Sequence, residues 1–297
     1  MRYRPLGSSG TAISVISLRV PGHRCDGDAE DWVSAIHAAF ECGINSFEVR
    51  EPTLALLQGL GEAVKAVERR LVFVNLRLTP GSSAADIHRQ VDEVLQHADL
   101  GQVDLVTLDA DAETHTEAVW ALEELRASPK VRMIGVAGDT EAVVPHIAGG
   151  VFDVLTAPFN ILSGWRERLR VRTAVENAMA VIASGHYPEE ARNLAEPVEV
   201  KKSWFAKPQE QFADIGTYAF LDDTPGWTAE EICLAFALTE PAVASMSLEA
   251  ADLDHLIALA DVTERELPSA VAAQIEMARF SVERQTGVER RRERRTA

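Results

Sequence analysis

Short apolar runs alternate along this chain with longer stretches whose apolar positions recur at helical spacing. The short runs read as strands. Tyr3 to Leu6 and Ala12 to Val15 form an N-terminal hairpin, and a first core strand covers Ile16 to Arg19. Further strands fit Asn45 to Val49, Leu71 to Leu76, Val103 to Leu108, Val131 to Val136, Phe152 to Leu155, Ala180 to Ala183 and Ala242 to Ser247. The longer stretches predict helices over 28–42, 54–68, 83–97, 115–126, 140–147, 163–177, 228–238 and 251–261. In the first of these, Trp32, Ile36, Ala39 and Phe40 mark one face. Nearly every strand reads as a continuous apolar run, the pattern of a strand covered on both sides.

Eight strands, each trailed by a helix, predict a closed parallel (β/α)8 TIM barrel preceded by a hairpin. The runner-up is a doubly wound open sheet. Its glycine-rich first turn is missing, because Arg19-Val20-Pro21-Gly22-His23 is no phosphate cradle. In a barrel the working groups sit at the C-terminal strand ends.

Two segments break the repeat. Residues 185–226 form a long connection rich in Pro, Glu and Lys, with Trp204 and Phe205 between lysines. Loops of that length inside a compact domain are functional or disordered. The aromatic pair has the composition of a partner-binding anchor, and equally of rings folded over the barrel mouth. A further helix is predicted from Ser269 to about Arg284, followed by an arginine-rich tail over 285–297. The organisation expected is thus a single barrel domain over 1–284, with the insert and the tail as departures.

Composition narrows the function classes. The chain has 297 residues, 46% of them hydrophobic, which suits one barrel of roughly 250 residues. A formal net charge of -17 argues against nucleic acid and anionic membranes as partners, and it disfavours a polyanionic cofactor. Cys25, Cys42 and Cys233 are far apart and form no metal-like or redox pair, so a reducing cytoplasm is expected. No apolar run reaches the length of a membrane span.

Several segments carry a family resemblance. Met1-Arg2-Tyr3-Arg4-Pro5-Leu6-Gly7, Gly43-Ile44-Asn45-Ser46-Phe47, Gly59-Leu60-Gly61-Glu62-Ala63-Val64 and Lys130-Val131-Arg132-Met133-Ile134-Gly135-Val136 stand in order. Phe152-Asp153-Val154-Leu155 with Pro158-Phe159-Asn160 follows them. Together they resemble the aldo-keto reductases, in register from residue 1 to about 183 and more weakly through 228–270. The resemblance implies an aldo-keto-reductase-like barrel, a nicotinamide cofactor and a catalytic Asp, Tyr, Lys and His.

The residues at those places differ. The resemblance sets Glu48 at the Asp position, Thr53 at the Tyr position, Arg77 at the Lys position and Asp109 at the His position. The reaction needs a phenol to protonate the carbonyl oxygen, with its pKa lowered by the lysine. Threonine is too weak an acid, and arginine is no tunable amine. No tyrosine lies between Tyr3 and Tyr187, so the missing phenol does not depend on register.

The implied cofactor positions are degenerate as well. Ala137 and Gly138 stand where a Ser-Asn pair would hold the carboxamide, Thr156 where a Gln is expected, and Ser184 where a tyrosine would stack on the ring. Asn160 keeps the loop residue after the sixth barrel strand. The phosphate loop is Ser247-Leu248-Glu249-Ala250-Ala251, with a carboxylate at a usual Gly and alanine near a usual Arg. The expectation is that no cofactor is required and NADPH is disfavoured. NAD(H) stays open as a weak or regulatory ligand through backbone amides.

The chain therefore reads as a disarmed family member, with regulation through protein contacts as its expected work. It resembles oxidoreductase-like regulators of bacterial cell division. That resemblance implies the tubulin-like division protein FtsZ and a cell-cycle histidine kinase as partners, with NAD(H) as a signal. Two alternatives remain open: a barrel enzyme using Glu48, Arg77 and Asp109 for another reaction, and a reductase with an unusual proton donor. Glu51, Asp111 and Glu113 enlarge an acidic mouth, and oxygen ligation of a divalent metal there has no spacing motif behind it. The eight histidines are scattered, mostly on helices or loops, make no metal pair, and most are expected at the surface.

Overall fold

The computed structural model describes residues 1–20, 27–110, 116–188, 218 and 220–279. Strands β1 (Tyr3–Pro5) and β2 (Ala12–Ser14) form an antiparallel hairpin. Eight parallel strands then close in chain order. They are β3 (Ile16–Val20), β4 (Ser46–Arg50), β5 (Phe73–Arg77), β6 (Val103–Asp109), β7 (Val131–Ala137), β8 (Val154–Pro158), β9 (Ala180–Ser184) and β10 (Val243–Leu248). The seam is β10 against β3, with Met246 opposite Ile16 and Leu248 opposite Leu18.

The surrounding helices are α1 (Ala29–Glu41), α2 (Leu54–Lys65), α3 (Ala84–His97), α4 (Thr116–Ala127), α5 (Val144–Ala148) and α6 (Trp165–Glu176). The short α7 (Phe220–Asp223) precedes α8 (Ala229–Ala237) and α9 (Leu253–Val262), and α10 covers 269–279. Polar side chains set where several of them begin. Asp28 accepts from the Glu30 and Asp31 amides, and Ser83 and Thr228 close reciprocal boxes with Asp86 and Glu231.

The barrel lumen is graded along its axis. At the N-terminal end Phe73, Leu105, Met133, Val154, Ala180 and Ile182 pack with Leu6 and Ile13 of the hairpin, which plugs the base. Above them lies a buried polar layer. Ser17 and Ser46 share a hydrogen bond of 2.8 Å, and the Thr107 hydroxyl donates to Asn75 Oδ1 at 2.8 Å. The reading of nearly all strands as continuous apolar runs is corrected here. In β4 and β5, Phe47, Val49, Val74 and Leu76 join the layer under the helices, whereas Ser46, Glu48, Asn75 and Arg77 alternate with them.

Smaller corrections follow from local bonding. Leu71 ends a 3-10 turn (Arg69–Leu71) and is exposed, so β5 starts at Phe73. The sixth barrel strand runs Val154–Pro158, two residues later than the apolar run, because Asp153 bonds to Ile134 through both its amide and its carboxylate. The helix expected over 140–147 is a 3-10 turn (Glu141–Val143) leading into α5. Within the connection 185–226, residues 220–223 are helical, while Trp204 and Phe205 lie outside the described residues, as does the tail 285–297. A separate apolar cluster joins α10 to α8 through Val271, Ile275, Ile232 and Phe236. Among the described residues no helix is long and apolar enough to cross a membrane.

Candidate functional site

The mouth at the C-terminal strand ends is built from charge. Parallel register sets Arg19 of β3 opposite Glu48 of β4, and Arg50 of β4 opposite Arg77 of β5. Glu48 is 1% exposed. Its Oε1 accepts from Arg19 Nε at 3.2 Å and Arg50 Nε at 2.5 Å, and its Oε2 accepts from the Ser247 hydroxyl at 2.9 Å. Arg19 also donates through Nη1 to Glu249 Oε1 at 3.0 Å. Beside this, buried Arg77 grips Asp109 with two donors, Nε at 3.0 Å and Nη2.

Burial by itself would raise the Glu48 pKa. The charges of Arg50, Arg19 and Arg77 outweigh that and hold the carboxyl below its ordinary value. A carboxylate so stabilised is a poor base. The mouth thus brings together Glu48, Arg77 and Asp109 as expected, and adds Arg19, Arg50 and Ser247 as their partners.

Thr53 has a different occupation. It is the N-cap of α2, and its hydroxyl accepts from the Leu56 amide at 3.2 Å. The preceding Glu51 has φ of 41°, a left-handed turn that leads the chain from β4 into this cap. The three tyrosines stand elsewhere. The Tyr3 phenol donates to the Gly43 carbonyl near the hairpin, and Tyr187 and Tyr218 join the apolar cluster around α8 and α10.

The residues that the resemblance sets at the nicotinamide-nucleotide positions have the following surroundings. Ala137 and Gly138 bring no side-chain amide, and a Cβ on Gly138 would stand 3.2 Å from Val143. The Thr156 hydroxyl is buried, with no hydrogen-bond partner among the described residues. Asn160 braces its own loop, donating to the Gly185 carbonyl and accepting from the Leu162 amide, both at 2.9 Å. Ser184 presents no ring, and Leu248 is buried beside it on β10. Ser247 is turned to Glu48. Glu249 is matched by Arg19, so its repulsion of a phosphate is weaker than the bare sequence implies. The arginine that would attract one is absent from this loop all the same.

A second polar cluster escaped the sequence reading. His186, just after β9, is 5% exposed. Its Nε2 lies 3.1 Å from Glu230 Oε1, and His255 Nε2 lies 3.2 Å from Glu230 Oε2. The Ala251 amide donates to His255 Nδ1 at 3.0 Å, so in neutral His255 the proton sits on Nε2 and points at Glu230. Burial would raise the Glu230 pKa, and the hydrogen bond and charge of His186, then His255, bring it below the ordinary value. Next to this cluster is a cavity of about 430 Å³, walled by Trp227, Tyr187, Glu231 and Leu259 among others. These residues are scattered in sequence, so only their meeting in space marks them. Among the described residues no group of three or more His, Cys, Asp or Glu is arranged to hold a metal, and Asp111 and Glu113 lie outside those residues.

This barrel, with its hairpin plug and its mouth at the C-terminal strand ends, defines a class. The Aldo/keto reductase family matches residues 22–279, and the chain belongs to it. Among solved structures it is similar to the aldo-keto reductase AKR11C1 from Bacillus halodurans. The holo form matches with a TM-score of 0.74 and the apo form with 0.72, each at 18% identity over 94% of this chain and 96% of the other. Comparison with curated proteins gives no match.

Proposed function

We propose that this chain is a non-catalytic member of the aldo/keto reductase family that works through contacts with other proteins. The observation that carries the proposal is the closure of the mouth on itself. Each residue at a tetrad position already has an internal partner: Glu48 with Arg19, Arg50 and Ser247, Arg77 with Asp109, and Thr53 with the Leu56 amide. None of the four is an acid suited to protonating a carbonyl oxygen at neutral pH.

The misfit of the nucleotide positions extends the proposal to the cofactor. No nicotinamide nucleotide is required, NADPH is disfavoured, and NAD(H) acts as a ligand at most. What supports a role in cell division or cell-cycle control is the resemblance to the oxidoreductase-like division regulator KidO. On that analogy the partners are FtsZ and a cell-cycle histidine kinase, and the compartment is the cytoplasm.

One observation favours a second reading. Arg77 Nη1 is buried with no hydrogen-bond partner among the described residues. Once the mouth opened, such a donor would take up a substrate oxyanion, as an enzyme of other chemistry would need.

Titration with NADPH and NADH, followed through the five tryptophans, together with a turnover assay on a generic aldehyde, tests the proposal. The expected result is no turnover with either nucleotide and no micromolar NADPH binding. Micromolar NADPH binding with aldehyde reduction would overturn it.

A further inference from the structure

Helix α6 carries a surface that the barrel does not use. Its inner face is fixed by Arg170, Val171 and Ala174, all buried. The opposite face presents Trp165 at 62% exposure and Leu169 at 50%, with Leu162 just before the helix at 36%. Isolated exposed apolar residues are ordinary. Here Trp165 and Leu169 fall on one side of the helix at i and i+4, the spacing of a docking face, and Leu162 stands in the turn that leads into it.

The charges on this helix are the opposite of the molecule's. It holds four arginines against two glutamates, Glu167 and the exposed Glu176 at its end, in a chain of net charge -17. Arg168 is engaged with Glu276 of α10 at 3.2 Å, and Arg170 is buried. Arg166 and Arg172 are exposed and form no ion pair among the described residues. The Arg166 guanidinium lies 5.4 Å from the Trp165 ring centroid, so part of the cost of ordering both side chains is already met before any partner arrives. Tryptophan and arginine are the residues that most often dominate binding energy at interfaces.

We infer that the Trp165–Leu169 face of α6, with Leu162 beside it and Arg166 and Arg172 flanking it, docks an acidic protein segment that brings its own apolar side chains. The inference rests on the regulatory reading above and gives its partner a chemistry. Carboxylates on the segment meet the two unpaired arginines, and its apolar residues cover Trp165 and Leu169. Three other occupants fit less well. A second copy related by a two-fold axis would set this basic face against itself. Anionic lipid and nucleic acid are extended polyanions that would also meet the acidic body beyond α6, whereas a short segment meets only the helix. The helix is also bolted to the barrel along its inner face and is not free to sink into a bilayer.

The test uses the full chain and a fluorescein-labelled amphipathic peptide of Glu and Asp with Leu at helical spacing, followed by anisotropy. The control peptide has every Glu and Asp replaced by Gln and Asn. Binding of the acidic peptide alone, weakened about tenfold or more by Trp165→Ala and by Arg172→Glu and weakened by added salt, is the expected result. Far-ultraviolet circular dichroism and thermal melting confirm that both variants stay folded. Equal capture of the control peptide, or indifference to both substitutions, would overturn the inference. So would Trp165-dependent binding of phosphatidylserine vesicles or duplex DNA in place of the peptide, or Trp165-dependent self-association in sedimentation. A chain that reduces aldehydes yet binds the peptide keeps this surface and loses the non-catalytic reading. A chain that binds neither nucleotide nor peptide does the reverse.

Discussion

Glu48 shows how a buried carboxylate is held by its neighbours. On β4 it is buried and takes hydrogen bonds from Arg19, Arg50 and Ser247. The sequence marked Glu48, Arg77 and Asp109 as unusual side chains at strand ends, but only the register revealed Arg19 and Arg50 as their neutralising partners. Glu48→Ala is expected to cost about 3 kcal/mol in urea unfolding. That is the low end for a broken buried pair, because Arg50 is 37% exposed and can turn to water. The pH dependence has a definite sign. With its pKa depressed in the fold, Glu48 contributes stability above the unfolded carboxylate value of about 4.3, and this is lost as pH falls through the folded value. Urea melts at a series of pH values should therefore show the wild-type advantage over Glu48→Gln shrinking on acidification. A difference that stayed constant with pH would contradict the arrangement described.

At the scale of elements, the Gly-Leu-Gly of α2 was legible as a motif but not as a mechanism. A Cβ on Gly59 would lie 2.5 Å from Trp32 Cβ and 2.7 Å from the Ala29 carbonyl oxygen. One on Gly61 would lie 2.2 Å from the Ala98 carbonyl oxygen. These glycines let α2 approach α1 on one side and the end of α3 on the other, closer than any side chain permits. Gly61→Ala improves helix propensity by about 1 kcal/mol, yet the clash is with backbone and cannot be relieved by a rotamer. A net loss of about 2 kcal/mol is expected, read as a fall of several degrees in melting temperature. Gly101→Ala, where nothing lies within 4 Å, is the control and should leave melting unchanged. An equal effect of the two substitutions would refute the close-approach argument. Elements without such close contacts were located less well from sequence. The sixth barrel strand was displaced because Phe152 is apolar and buried, although Asp153 makes the pairing bonds before β8 begins.

For the whole molecule, the excess of acidic residues is the dominant long-range force. A body of net charge -17 repels itself at low ionic strength, and salt screens that repulsion over a distance of about 10 Å at 0.1 M. The mouth network is buried and screened less. Thermal stability should therefore rise with added sodium chloride from the low-salt limit. A fall would mean that exposed ion pairs such as Lys130–Asp92 and Arg89–Glu93 outweigh the net repulsion.

The sequence by itself determined the barrel, because strand and helix periods are local properties that repeat eight times and survive a few misplaced boundaries. It also determined the absence of a phenol between Tyr3 and Tyr187, since composition needs no coordinates. How Glu48, Thr53, Arg77 and Asp109 are partnered only the tertiary structure decided. Partners such as Arg19 and Glu249, or His186, Glu230 and His255, are far apart in the chain and meet through barrel closure. Parallel register fixes which strand-end side chains face one another, and no local pattern encodes that register.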